Sequence, residues 1–115
     1  MRGGLLASGS AGGKIIIHNT EDGSVVKEVA AHSDWIRTVE FSKDGLMLAS
    51  GSNDNTCKVW DTGKWELLKE IPHPNAVKKV RFAEDNKLVT VCCDNVIRTF
   101  GIDFNEIVVQ GGITG

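Results

Sequence analysis

Proline is scarce in this chain, two residues in 115 against thirteen glycines, a balance that suits many tight turns. Cysteine is scarce too. The three present include the adjacent pair Cys92 and Cys93 and no Cys-x-x-Cys spacing, which speaks against a disulfide framework and against a zinc site. A reducing compartment, cytoplasm or nucleus, is the expectation. Excess charge is missing: the formal net is −2, which gives no electrostatic reason to expect nucleic acid or an anionic membrane as partner. Long apolar runs are missing as well. The first, Leu5-Leu6-Ala7, is too short for a signal peptide's hydrophobic region, and nothing approaches a membrane span. No segment sustains a 3.6-residue apolar period, so helix is not expected. The length allows one domain at most.

What the chain has is repetition. Leu6-Ala7-Ser8-Gly9-Ser10 returns as Leu48-Ala49-Ser50-Gly51-Ser52, a shift of 42 residues. The stretch from His32 to Phe41 returns, with its pattern kept, from His73 to Phe82, a shift of 41. A period near 40 means copies of one supersecondary unit, none of which buries its apolar faces alone. Turn clusters such as Gly12-Gly13, Lys43-Asp44-Gly45, Asn53-Asp54-Asn55 and Asp94-Asn95 separate short alternating runs. Between them eleven strands are predicted, near 5–9, 14–18, 24–29, 36–41, 46–51, 56–60, 65–71, 77–82, 87–92, 96–100 and 105–109. Their spacing is that of antiparallel meanders joined by hairpins. In register, Val39 and Phe41 match Val80 and Phe82 as an inward face, and Cys57 falls on Ile15 and Ile97, which reads as a small buried hydrophobe rather than a reactive thiol.

Four positions stand out in the middle copy: His32, Ser50, Asp54 and Trp60 followed by Asp61. The third copy offers His73, Thr90, Asp94 and Phe100-Gly101 at the same offsets. Here the chain resembles the WD-repeat β-propeller family. The resemblance implies an all-β fold, a partial propeller of four-stranded antiparallel blades spanning 1–115. Its repeats would be an incomplete one near 5–30, a complete one at 31–71, and a third at 72–109 with a degenerate Trp-Asp. It also implies a hydrogen-bonded structural tetrad of His32, Ser50, Asp54 and Trp60, and a partial one of His73, Thr90 and Asp94. The first copy, with Gly12 for the Asp and His18-Asn19 for the Trp-Asp, would have none. Eleven strands fall one short of three blades. The expectation is therefore a segment of a longer propeller, or a ring closed by pairing with other chains.

Chemical look-alikes are weaker. His32, Ser50 and Asp54 have the composition of a hydrolase triad, but no Gly-x-Ser-x-Gly elbow is present. The run Gly9 to Lys14 lacks the glycine spacing of a phosphate loop and aligns with a hairpin. The three histidines are absorbed by the repeat, so no metal, cofactor or catalytic residue is expected. Lys78, Lys79 and Arg81 form a small basic cluster, the basis of an alternative reading as a nucleic-acid-associated segment; a fragment with no activity of its own is another. The family resemblance implies instead a protein-interaction scaffold that presents a rim of loops to a protein or peptide. On that rim it places Trp35, Arg37, Asn53, Lys78 and Cys93, with Trp35 the leading candidate. Trp65 is expected on an outermost strand, shielding its edge.

Overall fold

The computed structural model describes residues 4–101 and the backbone of residues 106–110. Alternation and turn residues place the strands much as the pattern requires. They are β1 (Leu5–Gly9), β2 (Lys14–Asn19), β3 (Val25–Ala30), β4 (Ile36–Phe41), β5 (Met47–Ser52), β6 (Thr56–Asp61), β7 (Leu67–Pro72), β8 (Val77–Phe82), β9 (Leu88–Cys92), β10 (Ile97–Phe100) and β11 (Glu106–Gln110). They form three antiparallel sheets in which spatial order follows chain order: β1-β2-β3, β4-β5-β6-β7 and β8-β9-β10-β11. No helix occurs among the described residues. The fold is all-β, three blades of a partial propeller.

The turns repeat as faithfully as the strands. Left-handed backbone occurs at Gly4, Gly45 and Asn86, at Gly13, Asn55 and Asn95, and at Gly23 and Trp65, each set spaced by 40 to 42 residues. Glycine and asparagine enter that region at little cost. Trp65 is the exception. It does not lie on the outermost strand, as expected from the sequence; with φ of 57° it occupies the turn ahead of β7, at the position Gly23 fills in the first copy. Its backbone N–H donates to Asp61 O at 2.7 Å. Its indole packs on the apolar cluster around Trp60, a contact that offsets the strain of a bulky left-handed residue.

Two cores lie between the sheets. Strand alternation sends Leu48 and Trp60, with Ile36 of β4, toward the first sheet, where Ile15 and Ile17 meet them. It sends Ala49, Cys57 and Val59 the other way, onto Val77, Val80, Phe82 and Leu88. The second sheet is thus buried on both faces. Burial pushes the Cys57 thiol up to about 12, so it is an inert apolar filler.

The repeated Ser-Gly is explained by this stacking. A Cβ built on Gly9 would sit 2.3 Å from Ile36 Cγ2, and one on Gly51 would sit 2.7 Å from Val77 Cγ1. Each glycine leaves a slot for the first residue of the next sheet's inner strand. Polar ties reinforce the second boundary: Val80 N donates to Thr38 Oγ1 at 3.3 Å and Phe82 N to Glu40 Oε1 at 3.2 Å. In the third sheet the equivalents are Val91 for the glycine, and Lys79 and Arg81 for Thr38 and Glu40.

Candidate functional site

The residues of chemical interest fall into two groups, one inside the second blade and one along its rim. Inside, β5 supplies Ser50, β6 supplies Trp60, the hairpin between them supplies Asp54, and the loop ahead of β4 supplies His32. His32 Nδ1 lies 2.9 Å from Asp54 Oδ2, and Nε2 lies 2.7 Å from Ser50 Oγ. The indole N–H of Trp60 donates to the same oxygen at 3.2 Å. These partners assign the ring proton to Nδ1. The chain of donation then runs in one direction, from Trp60 through Ser50 and His32 to Asp54, and each bond polarises the next.

Thr56, which the sequence pattern did not single out, closes the arrangement. Its hydroxyl donates to Asp54 Oδ1 at 2.6 Å and lies 3.1 Å from His32 Nδ1, while Ser33 N donates to Asp54 Oδ2 at 3.2 Å. The signal was available: Thr56 stands two residues after the aspartate, within reach of an Asx turn. Burial holds the His32 pKa below its ordinary value, against the opposing pull of Asp54. For Asp54 burial works upward, but hydrogen bonds from Thr56 and His32 prevail and the pKa is lowered. The imidazole is therefore neutral and the carboxylate charged. Ser50 is fully buried and its oxygen sits between imidazole and indole, where no substrate reaches it.

In the third blade the offsets lead elsewhere. His73 Nε2 meets Thr90 Oγ1 at 2.9 Å, but its Nδ1 donates to Ile71 O at 3.0 Å. Asp94 faces Arg98 instead, with Nη2 to Oδ2 at 2.9 Å and Nη1 to Oδ1 at 3.4 Å. The expected grouping of Asp94 with His73 and Thr90 is corrected accordingly. Two substitutions account for it. Pro74 stands where Ser33 stands and has no N–H to draw the carboxylate inward. Arg98 stands where Lys58 stands; the Lys58 ammonium reaches Ala31 O at 2.5 Å and Glu70 at 3.4 Å, leaving Asp54 to the histidine. The Arg98 guanidinium turns back onto Asp94 and holds its carboxyl at about 2. Phe100 packs edge-on to His73, with ring centroids 6.1 Å apart.

The rim is built from the residues that enter β4 and β8 and those that leave β5 and β9. Trp35 is pinned through its backbone: its N–H donates to Asp34 Oδ1 at 2.7 Å, and its carbonyl accepts from Ser52 Oγ at 2.8 Å and Asn53 N at 2.9 Å. The residue is 53% exposed. Ala76 in the third blade repeats the scheme, with its N–H on Asn75 Oδ1 and its carbonyl accepting from Cys93 N, both at 2.8 Å. Arg37 and Lys78 are the extra residues of two β-bulges, since pairing passes from Ile36 to Thr38 and from Val77 to Lys79. A bulge re-aims the side chain it carries, and both are exposed. Arg37 Nη1 reaches across the blade boundary to Cys93 Sγ at 3.2 Å. Trp35, Arg37, Asn53 and Cys93 are thereby joined in one strip, with Lys78 at its third-blade end. Lys79 and Arg81 pair with Val91 and Val89 in regular ladder positions below the bulge, whereas Lys78 is the bulged residue.

Comparison with known proteins agrees with this architecture. The family described as WD domain, G-beta repeat matches residues 23–61 and 65–100. The chain belongs to the WD-repeat family. Jouberin of Rattus norvegicus is 32% identical over 111 residues, covering 90% of the chain and 11% of that protein. Eukaryotic translation initiation factor 3 subunit I of Neurospora crassa is 37% identical over 90 residues, 77% of the chain and 26% of that protein. The human intraflagellar transport protein 122 homolog is 32% identical over 73 residues, 64% of the chain and 6% of that protein. The WD-repeat chain thus spans between 6% and 26% of the length of these relatives.

Proposed function

We propose that this WD-repeat chain is a non-catalytic protein-interaction scaffold, and that its rim of Trp35, Arg37, Asn53, Lys78 and Cys93 is presented to a protein or peptide. The observation that carries the reading is Trp35, an aromatic residue more than half exposed on a backbone pinned from both sides. An aromatic that is already ordered loses little entropy on binding, which is the character of an interface anchor. The tetrad of His32, Ser50, Asp54 and Trp60 serves in this reading as internal support for the rim, and the partial set of His73 and Thr90 does the same more weakly. The relatives supply a consistent setting, one of them being a subunit by name. Further blades, in a longer chain or in second copies of this one, belong to the same proposal, as does residence in cytoplasm or nucleus.

Trp35→Ala tests the reading. The variant should unfold as the parent does and recover less of a protein partner in affinity capture from cell extract. Undiminished recovery would remove Trp35 from the proposed face.

A further inference from the structure

We infer that the rim takes an acidic peptide segment, with one carboxylate seated on the Arg37 guanidinium and an adjacent apolar side chain against the Trp35 indole. This rests on the reading of the rim as the binding face and says what chemistry it selects.

Arg37 is the centre of the argument. A guanidinium offers five N–H donors in a planar fork. Here one of them meets a cysteine sulfur, a weak acceptor, at 3.2 Å. Among the described residues no carboxylate pairs with Arg37 or with Lys78, whereas Lys58, Lys87 and Arg98 are matched to Glu70, Asp85 and Asp94. Exposed lysines elsewhere on the chain are also unpaired and carry no such weight. What separates Arg37 is position: a bulge aims it, the sulfur steadies it across the blade boundary, and an exposed indole stands two residues away. The acids near the rim are engaged. Asp54 is held by His32, Thr56 and Ser33, Asp94 by Arg98, and Asp34 Oδ1 caps Trp35 N. The rim therefore offers cationic donors and an apolar ring; two of its three carboxylates are matched to partners inside the blades, and exposed Asp34 holds the Trp35 N–H through Oδ1.

A carboxylate matches the guanidinium fork with two parallel hydrogen bonds. A nucleic-acid strand needs a track of cations along successive phosphates. This rim has two, because Lys79 and Arg81 lie off it. The observations favour peptide over nucleic acid, with Lys78 receiving a second acidic residue farther along.

The test is an array of random-sequence heptapeptides probed with the full chain, followed by titration of the best binders against four variants. Thermal unfolding of each variant is recorded alongside. Bound peptides should be enriched in Asp or Glu beside an aliphatic or aromatic residue. Affinity should fall about tenfold or more for Arg37→Gln, the scale of a lost charge-assisted hydrogen bond. Arg37→Lys should fall between, since it keeps the charge and loses the fork, and Lys78→Gln should cost less. Higher salt should weaken binding throughout. Bound peptides without acidic enrichment that still depend on Trp35 would overturn the acidic assignment and leave the rim standing as a binding face. Binders indifferent to Trp35→Ala, or no binders, would overturn both. Preference for a single-stranded oligouridine probe over every peptide would overturn the peptide assignment.

Discussion

Gly51 and Val77 face each other across the boundary between the second and third blades, so closely that a Cβ on the glycine would lie 2.7 Å from Val77 Cγ1 and 2.8 Å from Thr38 Cγ2. The sequence repeats this glycine because each inner strand must approach the blade before it without a side chain intervening. Gly51→Ala should destabilise the chain by about 1–3 kcal/mol through overpacking. Val77→Ala alone should cost about as much through a cavity. The double variant should cost less than the sum, because the new methyl enters the space the old ones leave. Urea midpoints of the four proteins measure this, and strict additivity would show that the two residues do not share a slot.

Asp54→Ala should lower stability by roughly 1–3 kcal/mol, since it removes the carboxylate that accepts from the His32 Nδ1–H, the Thr56 hydroxyl and the Ser33 N–H and leaves only the Thr56 oxygen beside the buried imidazole Nδ1. Asp94→Ala should cost well under that, because the pair it breaks with Arg98 lies partly in solvent. The contrast separates the two blades although their aspartates occupy the same repeat position. Equal losses in chemical denaturation would contradict it.

Acid should cost the chain stability over two pH windows. Burial lowers the His32 pKa from its ordinary 6.5. Below that value the unfolded chain takes up the proton more readily than the folded one, so stability is lost as the pH falls below about 6.5. Asp54 adds a second loss: its pKa is lowered from 3.8, so the stability it contributes is present above that value and fades as pH falls through its folded pKa. Urea midpoints recorded stepwise from about pH 7.5 to 2 should decline through the first window and again through the second, and His32→Gln should flatten the first decline.

Trp35→Ala should leave stability within about 0.5 kcal/mol of the parent, as expected for an exposed side chain whose backbone ties remain. Trp60→Phe should behave oppositely. It keeps most of the apolar contact and removes the indole donor to Ser50, at a cost of about 1 kcal/mol in thermal or urea unfolding with no effect on peptide binding. A rim change that unfolds the chain, or an interior change that abolishes binding in folded protein, would contradict this division of labour.

Most of the fold is legible in the sequence. Alternation and turn residues place each of the eleven strands to within about two residues at either end, and the repeat offsets put His32, Ser50, Asp54 and Trp60 in one blade. Two residues depart from the pattern. Trp65 falls at the start of the strand expected near 65–71, yet it repeats the left-handed turn position of Gly23. Its offset, rather than its chemistry, held the answer. Asp94 matched Asp54 in position and not in partner. Copying a hydrogen bond from one repeat to the next assumes equal competitors, and Pro74 and Arg98 changed the competition.

The sequence by itself determined where strands begin, where they turn, and which residues share a face, because these depend on near neighbours and a two-residue period. Only the tertiary structure decided which polar groups meet. Whether Asp94 takes His73 or Arg98, and whether Arg37 stands alone or reaches Cys93 from another blade, turns on distances of a few ångströms between segments up to 56 residues apart. Hydrogen bonds form only at close range and in the right direction, so residues far apart in the chain compete for the same partner only once packing has set them side by side.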